Sequence, residues 1–245
     1  MAFRDRAISV YYGYGIDKNQ KKGYVYRMII RHSSNFREIN YGKISPNILY
    51  RSNHPICNGK QVKDIIFSIN NANIKTVINL SDSTQSLKGK IIYCPWYKRV
   101  FEDNNVIALN INMKFDFMER KFNEKLKKGQ LFMIEHGPPY LIHCEVGIDR
   151  TGFLAVILES IMGAPFDVIV KDYMLSFVDN LEYSLNDYKN GEIFIINLFS
   201  KIKGELIDKN ENIQYLTKKY LLEKVKLDND ELEALISKFR NLEKA

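Results

Sequence analysis

Apolar residues along this chain follow two periods, which predict strands and helices in alternation. They alternate with polar residues at positions 107–113 and form short continuous runs at 76–80 and 140–142, and both patterns are typical of strands. At positions 62–73 and 118–126 they recur with helical spacing. Strands that alternate with helices imply a central, mostly parallel, twisted sheet with helices on both faces. We therefore expect an α/β fold.

The pattern differs at the two ends of the chain. Residues 7–31 are rich in β-branched and aromatic residues interrupted by glycine, which predicts a hairpin or two paired edge strands. After Pro165 the apolar residues form helical stripes, one of them behind the capping-box pattern Asp228-x-x-Glu231. We expect these helices to pack on the sheet. The chain is thus predicted to be one domain, with an N-terminal hairpin region (1–31), a core (32–165) and a helical C-terminal portion (166–245).

One segment joins a predicted strand to a predicted helix and carries reactive side chains. It reads His143-Cys144-Glu145-Val146-Gly147-Ile148-Asp149-Arg150-Thr151-Gly152, between the apolar runs 140–142 and 153–162. At such a junction, unpaired backbone N–H groups and the helix dipole favour an anion such as phosphate. The same positive field and Arg150 favour the thiolate form of Cys144. We predict that Cys144 is a nucleophile that attacks phosphorus.

The neighbours of Cys144 suit the same chemistry. Arg150 offers a planar fork of donors that can hold two phosphoryl oxygens, and the Thr151 hydroxyl is placed to stabilise the sulfur as a leaving group. His143 is expected to orient the loop through hydrogen bonds. The backbone that would cradle the phosphoryl group belongs to Glu145, Val146, Gly147, Ile148 and Asp149.

The simplest alternative is that Cys144 is a small buried apolar residue, as many cysteines are. The spacing argues against this alternative. The combination of His, Gly, Arg and Thr at these positions around one of three cysteines has a chance probability on the order of 10⁻⁵ to 10⁻⁴ at average composition.

The segment resembles the loop of the cysteine-dependent phosphatases, the superfamily of protein tyrosine and dual-specificity phosphatases, which share His-Cys-x5-Arg-Ser/Thr. Segments 35–38, 49–52, 76–80 and 172–176 are similar to the bacterial branch of tyrosine or dual-specificity phosphatases, related to phytase-like and phosphoinositide-active members. The resemblance covers residues 25–240. It implies a phosphatase fold, a phosphocysteine intermediate, and no metal or other cofactor.

Two arginines outside the loop lie in these similar segments. Arg37 and Arg51 could brace the loop or contact a second phosphate of the substrate. The alternative for each is an exposed surface arginine.

Cleavage also needs a proton donor for the leaving oxygen. In the superfamily this is an aspartate on a mobile loop before the catalytic strand, and Asp116, which follows the strand predicted at 107–113, is our first choice. Asp149 is the second candidate, because an aspartate just before the arginine resembles phosphoinositide-directed members. Asp82 and Asp103 are further candidates. No Trp-Pro-Asp loop is present, which argues against strict phosphotyrosine specificity.

Charge and composition limit the kinds of molecule that the protein is expected to bind. A formal net charge of +7 suggests attraction to anions. Phosphorylated proteins are the expected substrates, with phosphoinositides or inositol polyphosphates as the alternative, and peripheral contact with an anionic membrane is compatible with the charge. No nucleic-acid motif accompanies the lysines, and the pattern carries no signal of oligomeric state. An inactive phosphoryl-binding module is the rival interpretation.

The three cysteines form neither a disulfide framework nor a zinc motif, in agreement with a reducing compartment. No run approaches the roughly 20 apolar residues of a membrane span, and the first residues lack the apolar core of a signal peptide. We expect a cytoplasmic protein, with export by another route left open. Cys57 or Cys94 could trap oxidised Cys144, although two buried thiols are the simpler interpretation.

Overall fold

The structure is a computed structural model, which describes residues 35–56, 61–112, 116–177 and 185–240. The hairpin predicted at 7–31 and Cys57 lie outside the described residues.

A five-stranded sheet forms the centre of the described chain. Its strands are β1 (Arg37–Ile39), β2 (Leu49–Ser52), β3 (Thr76–Asn79), β4 (Val106–Ala108) and β5 (Tyr140–His143). They lie in the order β1-β2-β5-β3-β4, and only the edge strand β1 runs antiparallel to its neighbour. The predicted mostly parallel sheet is therefore confirmed, with β5 at its middle.

Helices connect the strands and extend the chain beyond the sheet. In the described residues they are α1 (Gln61–Asn71), α2 (Thr84–Ile91), α3 (Pro95–Glu102), α4 (Arg120–His136), α5 (Asp149–Ile161), α6 (Phe166–Leu175), α7 (Leu185–Lys203), α8 (Ile213–Tyr220) and α9 (Asn229–Lys238). One π-helical turn, Leu221–Val225, separates α8 from α9.

Alternation of side chains along the strands produces two apolar cores, one on each face of the sheet. One core contains Tyr50, Val77 and Leu141 and is covered by α1, α2 and α3. The larger core contains Leu49, Ile78 and Ile142 and is covered by α4 to α9. Helices on both faces agree with the prediction from sequence. Since α5 lies inside the larger core and is buried along almost its whole length, it is a rigid support for whatever its N-terminus holds.

Of two local predictions, that of the strand at 107–113 is only partly confirmed and that of the capping box is confirmed. The strand expected over 107–113 is short, because Asn110 adopts a left-handed conformation (φ 46°) that turns the chain out of the strand. By contrast, α9 begins at the predicted capping box, in which Asp228 Oδ1 accepts from the Glu231 N–H and the Glu231 side chain accepts from the Asp228 N–H.

Candidate active site

The Cys144 loop (residues 144–148) lies where β5 ends and α5 begins, as predicted. Its sharpest turn is at Gly147, whose φ of 79° lies in the left-handed region. A Cβ atom at Gly147 would lie 2.6 Å from the Ser52 carbonyl oxygen and 2.7 Å from the Asn53 nitrogen. Glycine is required here for its backbone conformation and for this close approach to the end of β2.

The Cys144 sulfur faces a backbone donor of its own loop. Sγ accepts a hydrogen bond from the Gly147 N–H at 3.3 Å, and the residue is only 2 % exposed. An amide N–H directed at sulfur, beside the N-terminus of a 13-residue helix, stabilises negative charge at this position. This arrangement suits a thiolate and, equally, an oxyanion bound next to it.

Arg150 occupies the second position of α5 and points toward the segment that follows β4. Its Nη1 donates to the Ile111 carbonyl at 3.0 Å, and the residue is buried. Its Nε is buried without a hydrogen-bond partner, and Arg150 forms no salt bridge with a described residue, although the neighbouring Asp149 carboxyl interacts with it electrostatically. A buried guanidinium with no carboxylate partner is costly unless an anion joins it. The arrangement therefore suits binding of a phosphoryl group.

Thr151 follows Arg150 and is completely buried. Its hydroxyl has no hydrogen-bond partner among residues 35–56, 61–112, 116–177 and 185–240, so the expected donation to the Cys144 sulfur is not formed in this structure. That role stays a prediction for the state in which sulfur is a leaving group.

Arg51, on β2, holds the Cys144 loop from outside. Its Nη2 donates to the Gly147 carbonyl at 3.0 Å, and its Nη1 pairs with Asp172 Oδ2 at 2.6 Å. Arg37, on β1, donates from Nε to Asp172 Oδ1 at 2.8 Å and from Nη2 to the Asp172 carbonyl and the Ser176 hydroxyl. Neither is a free surface arginine: Arg51 contacts the loop, and Arg37 supports Asp172, the partner of Arg51.

A second buried acid adjoins this group. Burial, together with the negative charge of Asp172, raises the pKa of the Glu159 carboxyl well above its usual value, which favours its neutral form. Burial also disfavours ionised Asp172, but Arg37 and Arg51 outweigh this effect and hold its pKa below the usual range. Two guanidinium groups thus share one carboxylate, which leaves net positive charge behind the loop.

His143 is held by hydrogen bonds on the face of the sheet that α1, α2 and α3 cover. Tyr97 Oη lies 2.8 Å from His143 Nε2, and Asn79 Nδ2 donates to Tyr97 Oη at 3.2 Å. Burial, and next the neighbouring His54, lower the pKa of His143 well below its usual value, so the ring is neutral. With Nε2 accepting from Tyr97, Nδ1 carries the proton and makes a long contact, 3.5 Å, with the Cys144 carbonyl. The geometry agrees with an orienting role.

His54 forms a separate buried pair with Asp82, which excludes Asp82 as the proton donor. Asp82 Oδ2 lies 2.6 Å from His54 Nε2, and Lys90 Nζ lies 2.8 Å from Asp82 Oδ1. Burial alone would raise the pKa of Asp82, but the hydrogen bonds from His54, Lys90 and Asn79 lower it far below the usual value. Asp82 therefore remains ionised and cannot donate a proton.

Asp103 is excluded by its position. It is the residue that ends α3, just before β4 begins at Val106. It thus lies at the N-terminal edge of the parallel strands, whereas Cys144 lies at their C-terminal edge.

Asp116 and Asp149 remain, and their surroundings differ. The Asp116 side chain is 42 % exposed and pairs with Lys201 Nζ, on α7, at 2.9 Å. The hydrogen bond from Lys201, and next that from the Met118 N–H, lower its pKa. Asp149 is the first residue of α5, and burial raises its pKa to about 6 against the opposing effect of Arg150. Near neutral pH, Asp149 retains a protonated fraction while Asp116 in its ion pair does not.

The remaining loop side chains differ in exposure. Glu145 is exposed, with an oxygen 3.7 Å from Lys90 Nζ, Val146 is half-buried, and Ile148 is buried. Only the backbone of these residues was expected to contact substrate, and their side chains do not contradict this.

Comparison with known families gives the same assignment as the geometry. A model described as "Tyrosine phosphatase family" matches residues 29–241. The chain belongs to the tyrosine phosphatase family. It is a cysteine-dependent phosphatase and hence a phosphoric monoester hydrolase.

Curated proteins and solved structures give two further comparisons. No curated protein matches the phosphatase. Among solved structures, it is similar to the core catalytic domain of the PP-IP phosphatase SIW14 from S. cerevisiae, crystallised with citrate, at 15 % identity and a TM-score of 0.41. That match covers 72 % of this chain and 96 % of the other. None of the described helices of the phosphatase combines the length and the apolar character needed to cross a membrane.

Sequence reasoning missed three residues of the phosphatase that the structure places at the loop or at the residues supporting it. Asp172 anchors Arg51, Tyr97 contacts His143, and Asn35 Nδ2 donates to the Val146 carbonyl at 3.2 Å. The segments around Asn35 and Asp172 carry part of the family resemblance, which was a usable signal. Tyr97 had none, because its position in α3 depends on packing against β3 and β5.

Proposed function

We propose that this phosphatase acts through a covalent phosphocysteine intermediate on Cys144. The observation that carries the proposal is the pairing of a sulfur that accepts an amide N–H with a buried guanidinium that has no carboxylate partner among the described residues, both at the N-terminus of α5. The thiolate of Cys144 attacks phosphorus, and the bond from phosphorus to the leaving oxygen breaks while an acid protonates that oxygen. Arg150 and the loop amides stabilise the charge on the phosphoryl oxygens.

The second half of the reaction regenerates the enzyme. Water attacks the phosphocysteine and gives its proton to the carboxylate formed in the first step, and the S–P bond breaks to release phosphate and the thiolate. The Thr151 hydroxyl, buried and without a partner in the described residues, can donate to sulfur as negative charge returns to it.

For the acid we propose Asp116 in a state in which its ion pair with Lys201 is broken. The ion pair keeps Asp116 ionised, so the proton donor must leave Lys201 to work. Asp149 is the alternative, favoured by a pKa raised to about 6. A pH profile of kcat/KM for the Asp149→Asn variant separates the two.

We propose phosphorylated proteins as the substrates, on the strength of the family, with phosphoinositides or inositol polyphosphates as the second candidate. The net charge of +7 and the positive group behind the loop favour anionic substrates of either kind, and peripheral contact with an anionic membrane agrees with the same charge. We further propose a cytoplasmic enzyme of the bacterial branch, in which the helical C-terminal portion and the core form one domain.

The decisive experiment is turnover of a generic aryl phosphate by the wild type and by Cys144→Ser, both with a chelator present. We expect release of phosphate by the wild type only, and rapid quenching should trap labelled phosphate on Cys144. Absence of release by the wild type at every pH from 5 to 8 would favour a phosphoryl-binding module instead.

The substrate class needs a second measurement with the same pair of proteins. Phosphopeptides carrying phosphotyrosine, phosphoserine or phosphothreonine are compared with phosphoinositide vesicles and soluble inositol polyphosphates. Preference for phosphopeptides by kcat/KM supports the first candidate, and inactivity on all lipids and inositols would remove the second.

A further inference from the structure

One peptide group of the Cys144 loop is bound at both of its ends. Its carbonyl, from Val146, accepts from Asn35 Nδ2 at 3.2 Å, and its N–H, from Gly147, donates to Cys144 Sγ at 3.3 Å. Because a trans peptide is planar, its C=O and N–H point in opposite directions. Asn35 therefore holds the group in the orientation that directs the N–H at the sulfur.

Asn35 is itself firmly placed. It is 8 % exposed and lies in the left-handed region (φ 50°), which asparagine tolerates better than most residues. It stands two residues before Arg37, which is bound to Asp172. The backbone on one side of Asn35 is thus tied to α6, and the side chain reaches a loop 111 residues further along the chain.

The next carbonyl of the loop is held in the same way. Arg51 Nη2 donates to the Gly147 carbonyl, so two successive carbonyls, those of Val146 and Gly147, are bound from outside the loop. Gly147 has no side chain, and its backbone lies against the end of β2. The orientation of these peptide groups is therefore set by two donors, Asn35 just before β1 and Arg51 on β2.

We propose that Asn35 is a positioning residue for the nucleophile. Acting through the Val146 carbonyl, it keeps the Gly147 N–H directed at Cys144 Sγ, which favours the thiolate and preserves a donor for the phosphoryl oxygens once sulfur has reacted. The inference rests on the proposed role of Cys144 and adds a residue 109 positions before it that never contacts substrate.

Two substitutions remove the Asn35 donor in different ways. Asn35→Gly deletes the side chain and accepts the left-handed backbone without strain. Asn35→Asp keeps the shape but has no N–H for the Val146 carbonyl. The matched control is Asn47→Gly, because Asn47 is also left-handed (φ 63°) and also just precedes a strand of the sheet, but its side chain accepts from the Tyr50 hydroxyl.

The readout is the rate at which iodoacetamide alkylates Cys144, followed by mass spectrometry of the peptide that contains it, as a function of pH. We expect the midpoint of this profile to move upward by about one pH unit in both Asn35 variants, and kcat to fall about tenfold with a smaller change in KM. Asn47→Gly should match the wild type in both measurements. Thermal unfolding of all four proteins checks that the variants are folded.

An unchanged alkylation profile in folded Asn35→Gly would overturn the inference. So would an equal shift in Asn47→Gly, since the effect would then come from the backbone near the sheet and not from the Asn35 amide. Alkylation does not require turnover. A wild type that releases no phosphate but shows the Asn35-dependent shift would refute the proposed function, and only the effect of Asn35 on the reactivity of the Cys144 sulfur would stand.

Discussion

Two buried arginines contact the region around the Cys144 loop, and they differ in what balances their charge. Arg51, behind the loop, has the carboxylate of Asp172 at 2.6 Å. Arg150, at the start of α5, has the neutral Ile111 carbonyl at 3.0 Å as its hydrogen-bond partner, and the neighbouring Asp149, whose raised pKa weakens it as a counter-charge, forms no salt bridge with it. The Nε of each is buried without a partner within the described part of the chain, so this atom does not distinguish the two arginines. What distinguishes them is that Arg51 forms a salt bridge and Arg150 forms none with a described residue.

This difference indicates a supporting role for Arg51 and a role in catalysis for Arg150. When a buried guanidinium has a carboxylate partner, its charge is already balanced in the folded protein, and it can hold a neighbouring group in place, here the Gly147 carbonyl. When it has no such partner, its charge is balanced only when an anion binds. We therefore expect substitutions of Arg51 or Asp172 to lower mainly the stability of the fold, and substitution of Arg150 to lower mainly turnover.

The largest expected effect tests the arginines directly. Arg150→Lys should lower kcat/KM about 10³-fold, because a lysine cannot hold two phosphoryl oxygens with one planar fork. Arg51→Lys should lower it much less. Steady-state kinetics on an aryl phosphate measures both, and equal losses in the two variants would contradict the division between support and catalysis.

The next effect concerns stability behind the loop. Asp172→Asn removes the carboxylate that Arg37 and Arg51 share, and should lower the free energy of unfolding by about 3 kcal/mol, because it leaves the buried Arg51 without its salt-bridge partner. Denaturation by urea measures this. The control on the same helix is Asp167→Asn, which breaks an exposed pair with Lys171 and should change stability by less than about 0.5 kcal/mol. Similar losses in both would show that burial of the pair is unimportant.

The proton donor gives an effect on the order of 10²-fold in turnover. If Asp116 is the acid, Asp116→Asn lowers turnover of alkyl phosphates by that amount and affects good aryl leaving groups little. The same pattern in Asp149→Asn assigns the acid to Asp149.

The pH dependence gives an independent check on Asp149. Burial raises its pKa to about 6, so the carboxyl is protonated below that pH and ionised above it. As the acid, Asp149 would make kcat/KM fall as pH rises through about 6, and Asp149→Asn would remove this limb. A limb that persists in Asp149→Asn belongs to another group.

The smallest expected effect is that of removing the hydrogen bond between Tyr97 and His143. Tyr97→Phe removes the hydroxyl that bonds to His143 Nε2 and should lower the free energy of unfolding by about 1–2 kcal/mol, with turnover reduced less than about tenfold. Tyr140→Phe is the control, since it removes a buried hydroxyl bound to the Met133 carbonyl in the other core. A loss of turnover in Tyr97→Phe as large as that in Arg150→Lys would mean that His143 does more than orient the loop.

The fold was largely predictable because strands and helices leave local periodic patterns. The runs at 76–80 and 140–142 became β3 and β5, and the stripe from residue 118 became α4. Short helices such as α2 and α3 were missed, because each has only eight residues, about two turns, which is short for a periodic pattern. The early end of β4 was missed as well, since it depends on the conformation of one residue, Asn110.

In the site, too, local features were predictable and distant contacts were not. Sequence alone determined that a cysteine and an arginine flank one turn between a strand and a helix, since that relation is contained in a few consecutive residues. Only the tertiary structure decided that Asn35 and Arg51 hold the loop carbonyls, that Asp172 anchors Arg51 and that Lys201 binds Asp116. These contacts join residues from about 85 to about 120 positions apart, and local periodicity does not encode which distant elements meet. That depends on the order of the strands and on how the helices pack against them.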